Sequence, residues 1–332
     1  MMSNEFQYFD QEIYDNEVSQ ENKELLEDYR LDMKSRKLKE GSIYQYTADI
    51  KLFLCYVCTQ LKNKAVPLLR KKQFRRFFID FQETGVSNAR INRMQCSLRN
   101  FLEYCVNDED IVDEYDNEVN YMQKIKGLLK EEVREIIFLT DEEVNKLIDE
   151  LVKRKEYQKA LLIAISYESG ARRNEIYQVT KTSLLDTTNN NTNEVVGKRG
   201  KKFKLRYFKK TKEVFKLFLE QRGEDNKEFL WYKEGKDGVE EVGYNTLYSW
   251  VVECRQVLAD VTGEYKLFNN HSFRHSCAEN LLNGSHYILG ELKKENLSLE
   301  QIKLLLKHDS SETTQLYVID KSEKEEEELF SV

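Results

Sequence analysis

Proline is almost missing from this chain: Pro67 is the only one among 332 residues, and glycine occupies just 13 positions. Both residues interrupt helices, proline through its lost backbone donor and glycine through its backbone freedom. Their scarcity, beside long runs rich in Leu, Lys, Glu and Ile, leaves a mainly α fold as the expectation. No apolar run approaches the roughly 18 residues of a membrane span and no signal peptide is seen, so no membrane partner and a cytoplasmic location are expected. The six cysteines, Cys55, Cys58, Cys96, Cys105, Cys254 and Cys277, are scattered in apolar surroundings and read as reduced core thiols. Cys55 and Cys58 have the spacing of a metal or redox pair. The helical run around them, KLFLCYVCTQL, offers no second pair and no histidine, so packing is the better account. With no internal repeat, glycine-rich phosphate loop or metal-ligand cluster visible, neither a cofactor nor a metal is expected.

An overall basic charge is missing too. The net charge is −7, which by itself speaks against nucleic acid, whose phosphates need a positive surface. The distribution reverses that inference. Residues 1–29 hold nine acids and one base, and residues 101–135 hold eleven acids and four bases. Residues 318–332 hold six acids and two bases. Between them, residues 30–100 hold sixteen bases and five acids. A solvated helical face accounts for many lysine-rich stretches, but such sign asymmetry points to nucleic acid.

Residues 1–23 are acidic and without a sustained period, and are expected to form a mobile arm. From Glu24 to about residue 110, apolar residues recur at three and four in SIYQYTADIKLFLCYV, KQFRRFFIDFQ and SNARINRMQCSLRNFLEYCV, with breaks at Gly41-Ser42 and Gly85–Asn88. Ser42, and Ser87 or Asn88, are expected N-caps of a small basic four-helix module. Its Lys71, Lys72, Arg75, Arg76, Arg90 and Arg93 are candidate DNA contacts. The acidic stretch 111–137 reads as a linker, residues 138–320 as a second domain, and 321–332 as a tail. Thr140 and Glu143 form a capping box at the start of the second domain, and the apolar helix YQKALLIAISYESG should end at Gly170. Period two then appears in EVVGKRGKKFKLRYFKKTK, a hairpin turning near Gly197–Gly200. It carries nine bases and no acid between Lys198 and Lys212. Lys201 and Lys202 there are further DNA-contact candidates.

Three of the four histidines are His271, His275 and His308. HSFRH places His271, Arg274 and His275 at helical spacings of three and four near a helix start, a setting that attracts anions. In SGARRNEI, Arg172 and Arg173 emerge from a glycine turn behind a rigid helix, a device that fixes a guanidinium against a phosphate. In LLLKHDSSETTQLY, His308 precedes Tyr317 by nine residues.

The ordered set of Arg in SGARRNEI, Lys in VVGKRGKKFKL, His-x-x-Arg in HSFRH, and His and Tyr in LLKHDSSETTQLY resembles the tyrosine recombinase, or phage integrase, family, over roughly residues 24–320. The resemblance implies a helical, SAM-like core-binding domain followed by a mixed α+β catalytic domain with a small β-sheet. It makes Tyr317 the nucleophile on a DNA phosphodiester, giving a 3′-phosphotyrosyl link without metal or ATP. Arg172 and Arg274 would hold the phosphate oxygens, with Arg173 the alternative to Arg172. Lys198 would protonate the leaving oxygen, with Lys201 and Lys202 as alternatives. His271 would move the nucleophile's proton, and His308 would bond the transition state. It further implies double-stranded DNA as substrate, a homotetramer on paired sites in which the tail docks on a neighbour, and accessory DNA-bending or directionality proteins. Two departures stand out: Lys307 occupies the place where the family prefers glycine, and the connection through Gly284–Ile302 is longer than usual. A DNA-binding regulator of the same fold and a type IB topoisomerase are the competing readings. The full set of six catalytic candidates disfavours the first and the basic N-terminal module the second.

Overall fold

A computed structural model describes residues 9–129, 137–185, 189–236 and 238–307. The chain divides into two compact units, Met1–Arg134 and Glu135–Val332.

The first unit is helical: α1 Gln11–Asn16, α2 Gln20–Ser35, α3 Glu40–Leu61, α4 Lys71–Glu83, α5 Asn88–Asn107 and α6 Glu109–Tyr115. Helix α4 shows how the sequence writes the fold. Phe74, Phe77, Phe78 and Phe81 recur at three and four and are all buried, each contributing about 2 kcal/mol by burial. Phe74 and Phe77 pack on Phe53 of α3 with ring centroids 5.5 and 4.9 Å apart. The expected arm is corrected from residue 10 onward. Asp10 caps α1, Tyr14 and Val18 are buried, and the fully buried Asn22 amide bonds the backbone of Lys64 and Val66. Acidity on the outer face had masked a packed inner one. Helix α3 also starts earlier than expected, with Lys39 at the N-cap and Gly41 and Ser42 inside the first turn. Ser87 does cap α5, accepting from Arg90 N. The predicted linker is corrected as well, because α6 and a 3₁₀ turn at Tyr121–Lys124 bury Ile111 and Met122 in this unit's core.

The second unit is built on α8, Tyr157–Ser169, in which every residue from Ala160 to Ser169 is buried. Around it pack α7 Asp141–Lys153, α11 Lys209–Arg222, α12 Thr246–Thr262 and α13 Asn270–Asn283. Short helices α9 Arg173–Tyr177 and α10 Lys181–Leu185 follow α8, and α14 Ile288–Leu292 and α15 Leu299–Leu306 follow α13. The Thr140–Glu143 capping box opens α7, and another, Ser298–Gln301, opens α15. Strands β1 Asn191–Val196 and β2 Lys202–Arg206 form the expected antiparallel hairpin, with Val195 opposite Phe203. A second hairpin, β3 Tyr232–Gly235 with β4 Gly238–Glu241, was not anticipated. The long Gly284–Ile302 connection is a folded element: His286, Ile288, Leu289 and Leu297 are buried, and the His286 ring stacks on Tyr167 at 4.0 Å. Among the described residues no helix is long and apolar enough to cross a membrane.

Candidate active site

The site begins where α8 ends. Gly170 takes the left-handed conformation, φ 57°, that closes a helix without steric cost. Two residues later Arg172 stands at the N-cap of α9. Glu175, nearly fully buried, accepts from Arg172 N at 2.8 Å and from its guanidinium Nη1 at 3.0 Å. One carboxylate therefore fixes both the backbone and the head group of Arg172, leaving its side chain 31% exposed.

Arg274, in the first turns of α13, is only 4% exposed. Its Nη1 donates to Gly170 O at 2.6 Å and its Nη2 to Leu306 O at 2.7 Å. A buried guanidinium thus ties the turn that delivers Arg172 to the end of α15, two residues before His308. The geometry at that end answers the question raised by Lys307. Lys307 adopts φ 53°, ψ 39° as the C-cap of α15, the left-handed conformation glycine would take most easily. The lysine holds that conformation and carries its strain.

His271 stands on the first turn of α13, its N–H held by Asn269 Oδ1 at 2.8 Å. Surrounding protein desolvates the imidazolium, and Arg274, Arg172 and Arg173 repel it, so its pKa lies below the usual histidine value. The ring is therefore neutral near pH 7. Arg172 and Arg173 line one cleft with His271, and Arg274 stands three residues on in the same helix. The His275 ring lies 6.3 Å from both the Phe138 and the His271 rings, and burial, with repulsion from His271 and Arg274, lowers its pKa to about 4.

The hairpin is attached to this cluster. Gln178, just beyond α9, donates to Val196 O and accepts from Val196 N, clamping the end of β1. At Gly197 a Cβ would stand 2.6 Å from the Phe203 ring and 3.3 Å from Glu175 Oε1, so glycine is required for the turn to lie against the carboxylate that holds Arg172. Lys198 follows, exposed, in that turn. Lys201 is exposed too, and Lys202 pairs with Glu194 at 3.4 Å. Predicted His308 and Tyr317 lie outside the described residues.

Of the DNA-contact candidates in the first unit, Lys72, Arg75 and Arg76 are exposed on the α4 face opposite its phenylalanines, and Lys71 is half-buried beside them. Arg90 is corrected. Its side chain is 13% exposed and bonds the fully buried Asp49 at 2.9 Å, so its charge is neutralised inside the fold. Arg93 approaches the same carboxylate at 3.6 Å but stays 46% exposed.

Some residues went unremarked in the sequence. A cleft of about 420 Å³ opens between α9, α13 and the start of α12, lined by Arg172, His271, Arg173, Asn270, Tyr244 and Tyr248 among others. Arg173 lies over the Tyr244 ring at 4.0 Å and near Tyr248 at 5.5 Å. The available signal was a pair of tyrosines four apart opening a helix.

A model of the phage integrase family matches residues 137–324. The chain is 24% identical over 327 residues to the SPbeta prophage-derived recombinase-like protein YomM of Bacillus subtilis (strain 168), covering 95% of this chain and 92% of that protein. In structure it is similar to the Tn1549 transposon integrase in complex with transposon right end DNA (TM-score 0.65, 14% identity, 92% of this chain and 99% of that one). It is also similar to a lambda integrase tetramer bound to a Holliday junction (TM-score 0.64, 16% identity, 91% of this chain and 78% of that one). These structural likenesses carry the fold.

Proposed function

The chain belongs to the phage integrase family, and we propose that it is an active site-specific recombinase that cuts and rejoins double-stranded DNA through a 3′-phosphotyrosyl intermediate. Tyr317 is the nucleophile. Its oxygen attacks the phosphorus, the bond to the 5′-oxygen breaks, and the phosphodiester energy is kept in the tyrosyl ester, so the reverse attack by a 5′-hydroxyl reseals DNA without ATP.

One observation carries this reading: Arg172 and Arg274 are held rigidly beside a neutral His271. Two fixed guanidiniums stabilise the charge that builds on the non-bridging oxygens without reorganising during the reaction. A phenol has a pKa near about 10, so Tyr317 needs help to lose its proton, and an imidazole kept neutral by burial and by neighbouring cations is ready to take it. Lys198 protonates the leaving 5′-oxygen from the hairpin turn. His308 bonds the transition state, supported by its nearness in sequence to Leu306, which Arg274 anchors. The first unit grips the duplex through Lys72, Arg75 and Arg76, and the active assembly is a homotetramer on paired sites, as in the lambda integrase tetramer bound to a Holliday junction.

Nicked duplexes made from DNA flanking the gene test the chemistry. A covalent adduct should form with the native protein and vanish in Tyr317→Phe while binding persists. Equal adducts from both would remove Tyr317 as nucleophile.

A further inference from the structure

We propose a second anion subsite in the same cleft, formed by Arg173 and Asn270, that takes a DNA backbone phosphate next to the scissile one. It rests on the reading of the cleft as a DNA-cleaving site, and it assigns residues that this reading does not use.

Asn270 supplies the first observation. It is buried, with 9% exposure, and lines the cleft, yet among the described residues neither its amide oxygen nor its amide nitrogen has a hydrogen-bond partner. An unpartnered buried amide costs folding free energy and persists where a ligand completes it. It stands at the first position of α13, a helix of 14 residues, whose N-terminal partial positive charge favours an anion at this point.

Arg173 is the second, independent observation. Among the described residues no carboxylate forms a salt bridge with it, whereas its neighbour Arg172 is paired with Glu175. Instead its guanidinium lies over Tyr244, and the Tyr244 ring is itself held edge-on by Tyr177 at 5.7 Å. A guanidinium resting on a ring face can still donate from its N–H groups, the arrangement that suits a phosphate. An arginine paired with a carboxylate beside one stacked on a tyrosine, both on one cleft with no acid among its described lining residues, fits two neighbouring phosphates better than a single one.

The test measures binding only, in full-length Tyr317→Phe protein, so covalent chemistry does not enter. The probe is a duplex of about 30 base pairs titrated between about 50 and 200 mM salt. Arg173→Gln should weaken binding roughly tenfold at the low-salt end and reduce the log–log salt slope by about 0.9, the signature of one lost phosphate contact. Asn270→Leu should weaken binding while its melting temperature stays equal to or above that of the parent, because the orphaned amide is gone. Asn270→Asp should bind more weakly still, since it places a carboxylate where the phosphate sits. Inorganic phosphate at constant ionic strength should not compete. If it competes, the subsite takes free phosphate and the DNA assignment falls. Arg172→Ala separates the two readings. A loss with Arg172→Ala and none with Arg173→Gln overturns this inference alone, and no loss with either overturns both. Should the Asn270 variants fail to fold, the Arg173 slope decides.

Discussion

Replacing Lys307 by glycine should make the second unit more stable while weakening its hold on DNA. The backbone at Lys307 is left-handed, φ 53° and ψ 39°. For a residue with a Cβ that conformation costs about 1–2 kcal/mol relative to the right-handed region. Glycine escapes the penalty but gives the unfolded chain extra freedom, worth about 0.4–1 kcal/mol in the opposite direction. The net gain is about 0.5–1 kcal/mol, which for a unit of this size raises the melting temperature by about 1–4 °C. Calorimetry on the native protein, Lys307→Gly and Lys307→Ala checks it. Alanine removes the same side chain yet keeps the strained Cβ, so only the glycine variant should melt higher.

The same three proteins separate backbone from charge. Lys307 neighbours His308 in the chain, and its ammonium is expected to add a phosphate contact if His308 bonds the scissile phosphate. Both variants should therefore lose the same affinity for duplex DNA and the same increment, about 0.9, in salt slope. A glycine variant that melts no higher than the alanine one would refute the strain argument. Unequal DNA affinities in the two variants would refute the charge argument.

Gly170→Ala should destabilise by about 2–4 kcal/mol in a denaturant titration, because the new Cβ meets Leu306 Cδ2 at clash distance in a left-handed turn. Arg274→Met should cost roughly 2–5 kcal/mol by orphaning the carbonyls of Gly170 and Leu306, and it should abolish adduct formation on nicked DNA. Glu168→Gln tests linkage. Burial raises the Glu168 carboxyl to about 7, outweighing the bonds from Phe208 N, Thr211 N and Tyr287. A raised folded pKa contributes stability that is present below the ordinary value of 4.5 and is lost as pH rises toward 7, up to about 3 kcal/mol. The variant should therefore gain on the native protein steadily from pH 4.5 to 7 in thermal melts; a constant difference would sink the assignment. His275 and His286 tilt the opposite way in both proteins, their stability present above 6.5 and lost as pH falls toward about 4 and about 3.

What could be read in advance follows from how local each signal is. The capping box at Thr140, the glycine close at Gly170 and the period-two hairpin are decided within a few residues, and the structure has them where the sequence places them. The Arg172–Glu175 pair is equally local, its members three apart across one helical turn. The buried partners that decide Arg90 and Arg274 were not. Asp49 lies 41 residues from Arg90, and Leu306 lies 32 from Arg274, so only tertiary packing reveals that one arginine is neutralised and the other clamps two elements. Charge misled at the N-terminus for a related reason. Net acidity averages over faces, while folding of residues 10–23 is decided by Tyr14, Val18 and Asn22, three inward positions in a segment otherwise built for water. Lys307 joins both kinds of signal. Its departure from glycine is a one-residue fact, but whether the chain bends or the lysine strains depends on Arg274 holding Leu306 O, and the fixed carbonyl leaves the strain with the lysine.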